Sequence, residues 1–424
     1  MSIQRRRLAG FYIGLLLVIL LLAVACGPTT TELLPGVLSP VDPTLTPFQP
    51  AALDPSFAIQ TPLTGPTYTP YPTSQVPSEN QSVPLILPTP GVGANSLAIY
   101  NPLTGLPVSD PRLLERRPMV IKVANAPDYV RPQSGLTLAD VVYEYYIEWG
   151  DTRFIAVMYG NDSPFVGPVR SGRYFDEHVA RMYNAFLVFK FADPREFDYL
   201  KNSTLNDFLV VPANSGCPPF VIGPGTRDAY NNIFFNTLRW AECAAKKGVD
   251  NSIQPLRRGF FTDEFLASEL VATRVFTHFS VYSYNYWEYD PITRKYFRYQ
   301  EANDMIGGKP EAYAPLSDAQ TGLPVTADNV VVIFVPYIFT NQFDADDEVY
   351  HIDLVDSGNA WVFRDGLAVP AVWNRVDENQ PLLLTTPDGN PIYLHPGRTF
   401  YEVVGTSSVQ TRDGTHWSFR FATP

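Results

Sequence analysis

Between residues 131 and 173 the chain sets four arginines, Arg131, Arg153, Arg170 and Arg173, and the first half of that stretch carries Asp140, Glu144, Glu148 and Asp151. A guanidinium offers a planar fork of donors that fits a carboxylate or sulfate, and a carboxylate accepts from hydroxyl or amine groups or moves a proton. Three kinds of chemistry are open to such a set. In the first, Arg131 and Arg170 bind an anionic ligand in a cleft, Glu144 orients its hydroxyl or amine groups, and Arg153, Arg173, Asp140, Ser134 and Ser171 complete the lining. In the second, Asp140 or Glu144 is the acid or base of a hydrolase or transferase, or Ser134 or Ser171 its nucleophile. In the third, arginines and acids pair with one another and fasten loops onto a sheet. The segments 131–135 and 167–172 are Gly/Pro loops at strand ends, where sites usually sit.

Elsewhere the chemical signals are thin. There is no Gly-x-Ser-x-Gly elbow, and the five histidines, at 178, 278, 351, 395 and 416, are scattered. His395, set at a turn by Pro396-Gly397-Arg398, still reads as structural. Asp344, Asp346, Asp347 and Glu348 could offer oxygens to calcium, but the stretch lacks the glycine and terminal glutamate of an EF-hand loop, and an acidic turn explains it equally well. The aromatics from Tyr282 to Tyr289 read as alternating core residues rather than a sugar-stacking stripe. No Cys-x-x-Cys or Cys/His cluster occurs, so no metal and no cofactor is expected. Cys217 and Cys243 either close a disulfide or stand as separate thiols, since Cys243 falls in an apparent helix.

The elements that must position these residues alternate at first. Met119–Val123, Val141–Ile147 and Arg153–Tyr159 read as strands, with Gly150-Asp151 as a hairpin turn. On the second of them Glu144 and Glu148 share a face with Val142 and Tyr146, and Asp140 joins them, because side chains alternate with period two. Three acids on one face repel unless arginines lie beside them, so an ion-pair network or a charged cleft is expected. Phe175, Val179 and Met182 mark an amphipathic helix with Ser171 as a candidate cap. Ala185–Phe191 resembles a buried strand, and Arg227–Lys247 a long helix stopped by Gly248. The second half is mostly β: Val275–Tyr289 returns through Asp290-Pro291 into Lys295–Gln300, Val330–Val335 has the continuous apolar run of a central strand, and short strands follow to residue 421.

The ends of the chain speak of location. Arg5, Arg6 and Arg7 precede an apolar run from Leu8 to Val24, and Ala23-Val24-Ala25-Cys26 matches a bacterial lipobox. The expectation is a signal peptide over 1–26 with acylation of Cys26; the alternative is an uncleaved anchor helix. Either places the remainder outside the cytoplasm. From residue 27 to 96 there are 15 prolines, 11 threonines and no Lys or Arg. Such a stretch cannot bury a core, so 27–98 is expected to be a disordered spacer reaching about 50 Å as a coil. Loss of the three leader arginines takes the net charge from −12 to −15. That acidity argues against nucleic-acid partners.

Several blocks then resemble the YerB-like bacterial lipoproteins: Asn101-Pro102-Leu103-Thr104-Gly105, Arg117-Pro118, Arg131-Pro132-Gln133-Ser134-Gly135-Leu136, Ala139-Asp140-Val141-Val142-Tyr143-Glu144 and Gly167-Pro168-Val169-Arg170-Ser171. Weaker matches follow in the second half, among them Trp287-Glu288-Tyr289-Asp290 and His395-Pro396-Gly397-Arg398-Thr399. The resemblance implies a two-domain exported lipoprotein and no activity. It also implies a Pro-His-Asn stretch where this chain has Tyr230-Asn231-Asn232, so no histidine role carries over there. The reading is a mixed α/β (α+β) protein: an N-terminal α/β sandwich-like domain over 99–270 and a β-rich C-terminal domain over 271–424. It is membrane-anchored through lipid on Cys26 and binds a cell-wall glycan or peptide, or an exported protein, through the Arg/acid cleft. A wall hydrolase or transferase and a structural scaffold are the alternatives.

Overall fold

The computed structural model describes residues 98–424, apart from 214, 225–226, 340–347 and 423–424. The leader with Cys26, the Pro/Thr-rich stretch up to 97, and Asp344, Asp346 and Asp347 lie outside the described residues. Among the described residues no helix is long and apolar enough to cross a membrane.

The protein is β-rich, with three short α-helices among the described residues. Ten strands form one large mixed sheet, ordered 383–385, 367–375, 356–364, 329–335, 399–405, 141–146, 152–158, 119–124, 186–188 and 209–210. The apolar run Asn329–Val335 is buried along most of its length, as its composition demands. Val141–Tyr146 and Thr152–Met158 form the expected hairpin, closed where Trp149 and Gly150 adopt positive φ. The other neighbour of Val141–Tyr146 is Thr399–Gly405, in parallel register with Val141 opposite Thr399 and Glu144 opposite Glu402. Strands from 99–270 and from 271–424 therefore share a single sheet.

A second sheet, in the order 313–315, 295–301, 284–290, 274–278, 416–420 and 409–413, packs on one face of the first. Trp287 against Phe400, with ring centroids 4.7 Å apart, and Phe363 against Phe419 mark the seam. On the opposite face lies the helix Tyr174–Met182, whose Phe175 packs on Tyr145 at 4.7 Å.

Three local expectations are corrected, and one helix is added. The helix at 174 is capped from Arg173, whose N–H donates to Asp176, and not from Ser171. Val275–Tyr289 is two strands, because the Ser280 hydroxyl accepts from the N–H groups of Tyr282 and Ser283 and folds a turn between them. Only Trp240–Lys247 of the long helix expected over 227–247 is α-helical. Ile233–Phe235, β-branched and aromatic, pairs with Phe220–Ile222 instead. A helix at Pro194–Asn202 went unread, although Asp193 caps it and Pro194 opens it.

Cys217 and Cys243 are joined in a disulfide with Cα atoms 5.6 Å apart. It ties the excursion that carries the 220–235 hairpin to the helix Trp240–Lys247. Closing a loop of this length contributes about 3 kcal/mol by restricting the unfolded chain. A Cys217→Ala, Cys243→Ala double variant is expected to unfold at lower urea by about that amount; an unchanged midpoint would show that the bridge adds no stability.

Candidate anion-binding site

The charged residues of the 131–173 block do not meet in one cleft. They separate into five places, and the alternation of the strands explains most of the sorting.

Glu144 points between the two sheets and is fully buried. Its parallel neighbour Glu402 lies beside it, and Arg298 from the second sheet reaches both, donating to Glu144 and, at 3.0 Å, to Glu402. Thr152 at 2.7 Å, Asn125 at 2.9 Å and Asn285 at 3.2 Å also donate to Glu144, and Trp287 Nε1 donates to Glu402 at 2.7 Å. Burial, and then the neighbouring Glu144 carboxylate, push Glu402 up to about 8. One guanidinium thus serves two carboxylates in a region closed to solvent, which is an interior network and not a ligand cleft.

Asp140 sits at the sheet's other end. It accepts from the N–H groups of Tyr159 and Gly160 at 2.8 and 2.7 Å and from Asn101 at 2.9 Å, and burial pushes it up to about 6. It borders a cavity of about 330 Å³ shared with Asp328, Lys295 and Arg398. Arg131 is spent on Glu301 of the second sheet and on the Asn125 carbonyl. The Ser134 hydroxyl is buried and donates to the Phe165 carbonyl at 2.6 Å. Glu148 leaves the face of Glu144 once the strand ends at Tyr146, and pairs with Arg173. Arg173 also lies 3.7 Å from buried Glu196, which burial pushes up to about 7. Ser171 is half-buried in its loop.

Arg153 and Arg170 do come together, and structure adds Lys190 to them. Arg153 stands opposite Ala124 on the helix-side face of the large sheet. The Arg170 N–H donates to the Lys122 carbonyl on the far side of that strand, and the Lys190 N–H donates to the Arg170 carbonyl. Three cations from successive extended segments therefore line one face, Arg153 across from Ala124 and Arg170 across from Lys122 on the strand between them. Arg153 has Asp151 at 3.6 Å and the Thr152 carbonyl at 2.8 Å; burial and then the charge of Arg170 lower it to about 10. Lys190 donates to the carbonyls of Tyr230 and Ala229 and is lowered by burial, then by Arg170. All three remain cationic at neutral pH.

Arg170 is the unusual member. It is only 8% exposed, yet among the described residues its guanidinium has no hydrogen-bond acceptor and no carboxylate within 4.0 Å, and its Nε is enclosed without a partner. It lies 4.3 Å from the centre of the Tyr230 ring. Tyr230 in turn stacks with Phe191, centroids 6.0 Å apart and planes 11° from parallel, and both rings are half exposed. Tyr129, 57% exposed, closes the rim, its hydroxyl accepting from Asn231 at 3.0 Å. A buried cation without an acid, under an aromatic rim open to solvent, is suited to an anionic group carried on an apolar or sugar-like body.

Sequence reasoning missed Tyr129, Lys190, Tyr230 and Asn231. Lys190 had a signal: a lysine that ends the apolar run Ala185–Phe189 is a cation placed at a buried strand end. Tyr230 and Asn231 were hidden by the helix wrongly expected there.

Two family models match in order: the N-terminal domain of the protein of unknown function DUF3048 at residues 103–250 and its C-terminal domain at 275–401. The YerB protein of Bacillus subtilis (strain 168), which carries the name of a lipoprotein, is 26% identical over 314 residues, covering 72% of this chain and 85% of that protein. The crystal structure of YerB from Bacillus subtilis shares the fold with a TM-score of 0.58 at 24% identity, over 72% of this chain and 96% of that one. With both domain models in sequence and a YerB relative matched along most of its length, the chain belongs to the YerB-like, DUF3048-containing family.

Proposed function

We propose that this protein is an exported lipoprotein, held at the outer face of a membrane by acylated Cys26, whose folded part binds an acidic group of a cell-envelope component or exported partner at Arg170. The name of its YerB relative, the lipobox-like Ala23-Val24-Ala25-Cys26 and the Pro/Thr-rich spacer support the location. The observation that carries the binding reading is Arg170, nine-tenths buried and stacked on Tyr230 with no acid of its own among the described residues. Buried charges are ordinarily paired, so a lone one is best explained by a partner that arrives from outside. The cleft is thereby moved from Arg131 and Glu144 to Arg153, Arg170 and Lys190. The hydrolase reading loses Glu144, which no substrate reaches, and keeps only Asp140 beside its cavity.

Full-length protein in detergent should retain isolated cell-wall fragments or an exported partner, and Arg170→Ala should weaken that retention at least tenfold while melting at nearly the wild-type temperature. Undiminished retention by a folded Arg170→Ala protein would remove Arg170 from the function.

A further inference from the structure

We infer that the acidic group received at Arg170 is the free C-terminal carboxylate of a peptide, taken together with the amide N–H that precedes it. This deepens the reading above and rests on Arg170 being the ligand centre. Two buried and incompletely bonded groups carry it. Among the described residues Arg170, 8% exposed, has an unpartnered Nε, and Asn231, 2% exposed, has an unpartnered Oδ1. The Asn231 amide is not free to turn round: its Nδ2 donates to Asp228 at 2.8 Å, and a carboxylate can only accept, so Oδ1 must face away. The same Nδ2 donates to the hydroxyl of Tyr129 at 3.0 Å. Arg170 stacks on Tyr230, the residue before Asn231, and the neighbouring Val169 N–H donates to the Ile233 carbonyl, so donor and acceptor belong to one locale.

A ligand that answers both must bring an anionic acceptor and, close beside it, an N–H or O–H donor. The last residue of a peptide does so, its carboxylate and amide N–H being joined through one Cα. A sulfate or phosphodiester brings acceptors only and leaves Asn231 Oδ1 unanswered. The surrounding charge points the same way. Asp228 bonds Asn231, and Asp151 lies 3.6 Å from Arg153. Both would repel a string of phosphates, whereas a single carboxylate beside a neutral amide meets the unpaired cation without bringing a second negative charge. The exposed rings of Phe191 and Tyr230 then offer an apolar floor for the terminal side chain.

The test is calorimetric titration of full-length protein with N-acetyl-dialanine, its C-terminal amide, and sodium sulfate. The free acid should bind, the amide at least tenfold more weakly, and both Arg170→Lys and Asn231→Ser should reduce binding of the free acid severalfold. A preference between the L,L and D,D forms then separates a protein tail from a wall peptide. Equal binding of acid and amide, tighter binding of sulfate, or no binding of either peptide while wall fragments still require Arg170, would overturn the inference and leave the Arg170 site standing. Peptide binding that ignores Arg170→Ala would remove the site itself. Should Asn231→Ser fail to fold, the comparison of acid with amide on the wild-type protein remains decisive.

Discussion

Replacement of Arg298 by alanine is expected to cost about 3–5 kcal/mol, because it strands the Glu144 carboxylate and takes a donor from the protonated Glu402 beside it in the seam between the sheets. Arg298, Glu144 and Glu402 have no exposed side-chain surface, so water cannot take over the lost donors. The loss is comparable with the whole stability of many domains, so the variant should be largely unfolded near neutral pH. Urea titration followed by tryptophan fluorescence would measure it, since Trp287 reports from within the network. Combining Arg298→Met with Glu144→Gln and Glu402→Gln is expected to recover part of the loss, because it removes the stranded charge of Glu144 as well as the arginine. A stable Arg298→Ala protein would mean that the seam admits water and that the network is dispensable.

The second large effect is on pH. Glu402 titrates near 4.5 when unperturbed and is pushed up to about 8 in the folded protein. The folded state therefore holds a proton that the unfolded state releases across that interval. The stability from this group is complete below about pH 4.5, falls as pH rises, and is gone above about pH 8. The span corresponds to a change on the order of several kcal/mol. Glu402→Gln mimics the protonated form: its carbonyl oxygen can still accept from Trp287 and Arg298, and its NH₂ can face Glu144. The variant's melting temperature should thus exceed that of the wild type by a margin that grows from pH 5 to pH 8. Asp140 and Glu196, raised to about 6 and about 7, tilt both curves in the same sense, so the difference isolates Glu402. A margin independent of pH would show that Glu402 is already ionised at pH 5.

What could be read from residue order was local. The hairpin at Gly150-Asp151 and the buried strand Asn329–Val335 follow from turn chemistry and apolar runs a few residues long. The placement of Glu144 on the face of Val142 and Tyr146 followed from the pleat, and so did the need for an arginine beside it. Which arginine could not be read, because Arg298 belongs to another sheet and meets Glu144 only after both sheets have formed. Arg131, nearer in sequence, is drawn instead to Glu301. The site at Arg170 failed to appear for a related reason. It needs Lys190 from the next segment of the sheet and Tyr230 from a hairpin held by the disulfide, and local pattern had assigned that hairpin to a helix.

The pairing of Val141–Tyr146 with Thr399–Gly405 also sets a timetable for folding. During synthesis the first strand emerges long before its parallel partner, and until then it presents an open edge that carries an uncompensated Glu144. Loop closure of that length slows the search for native pairing, and an unpaired apolar edge is prone to join other chains. Refolding from denaturant should accordingly be slow and sensitive to protein concentration. In the cell the interval between the two strands is when this protein most needs a chaperone.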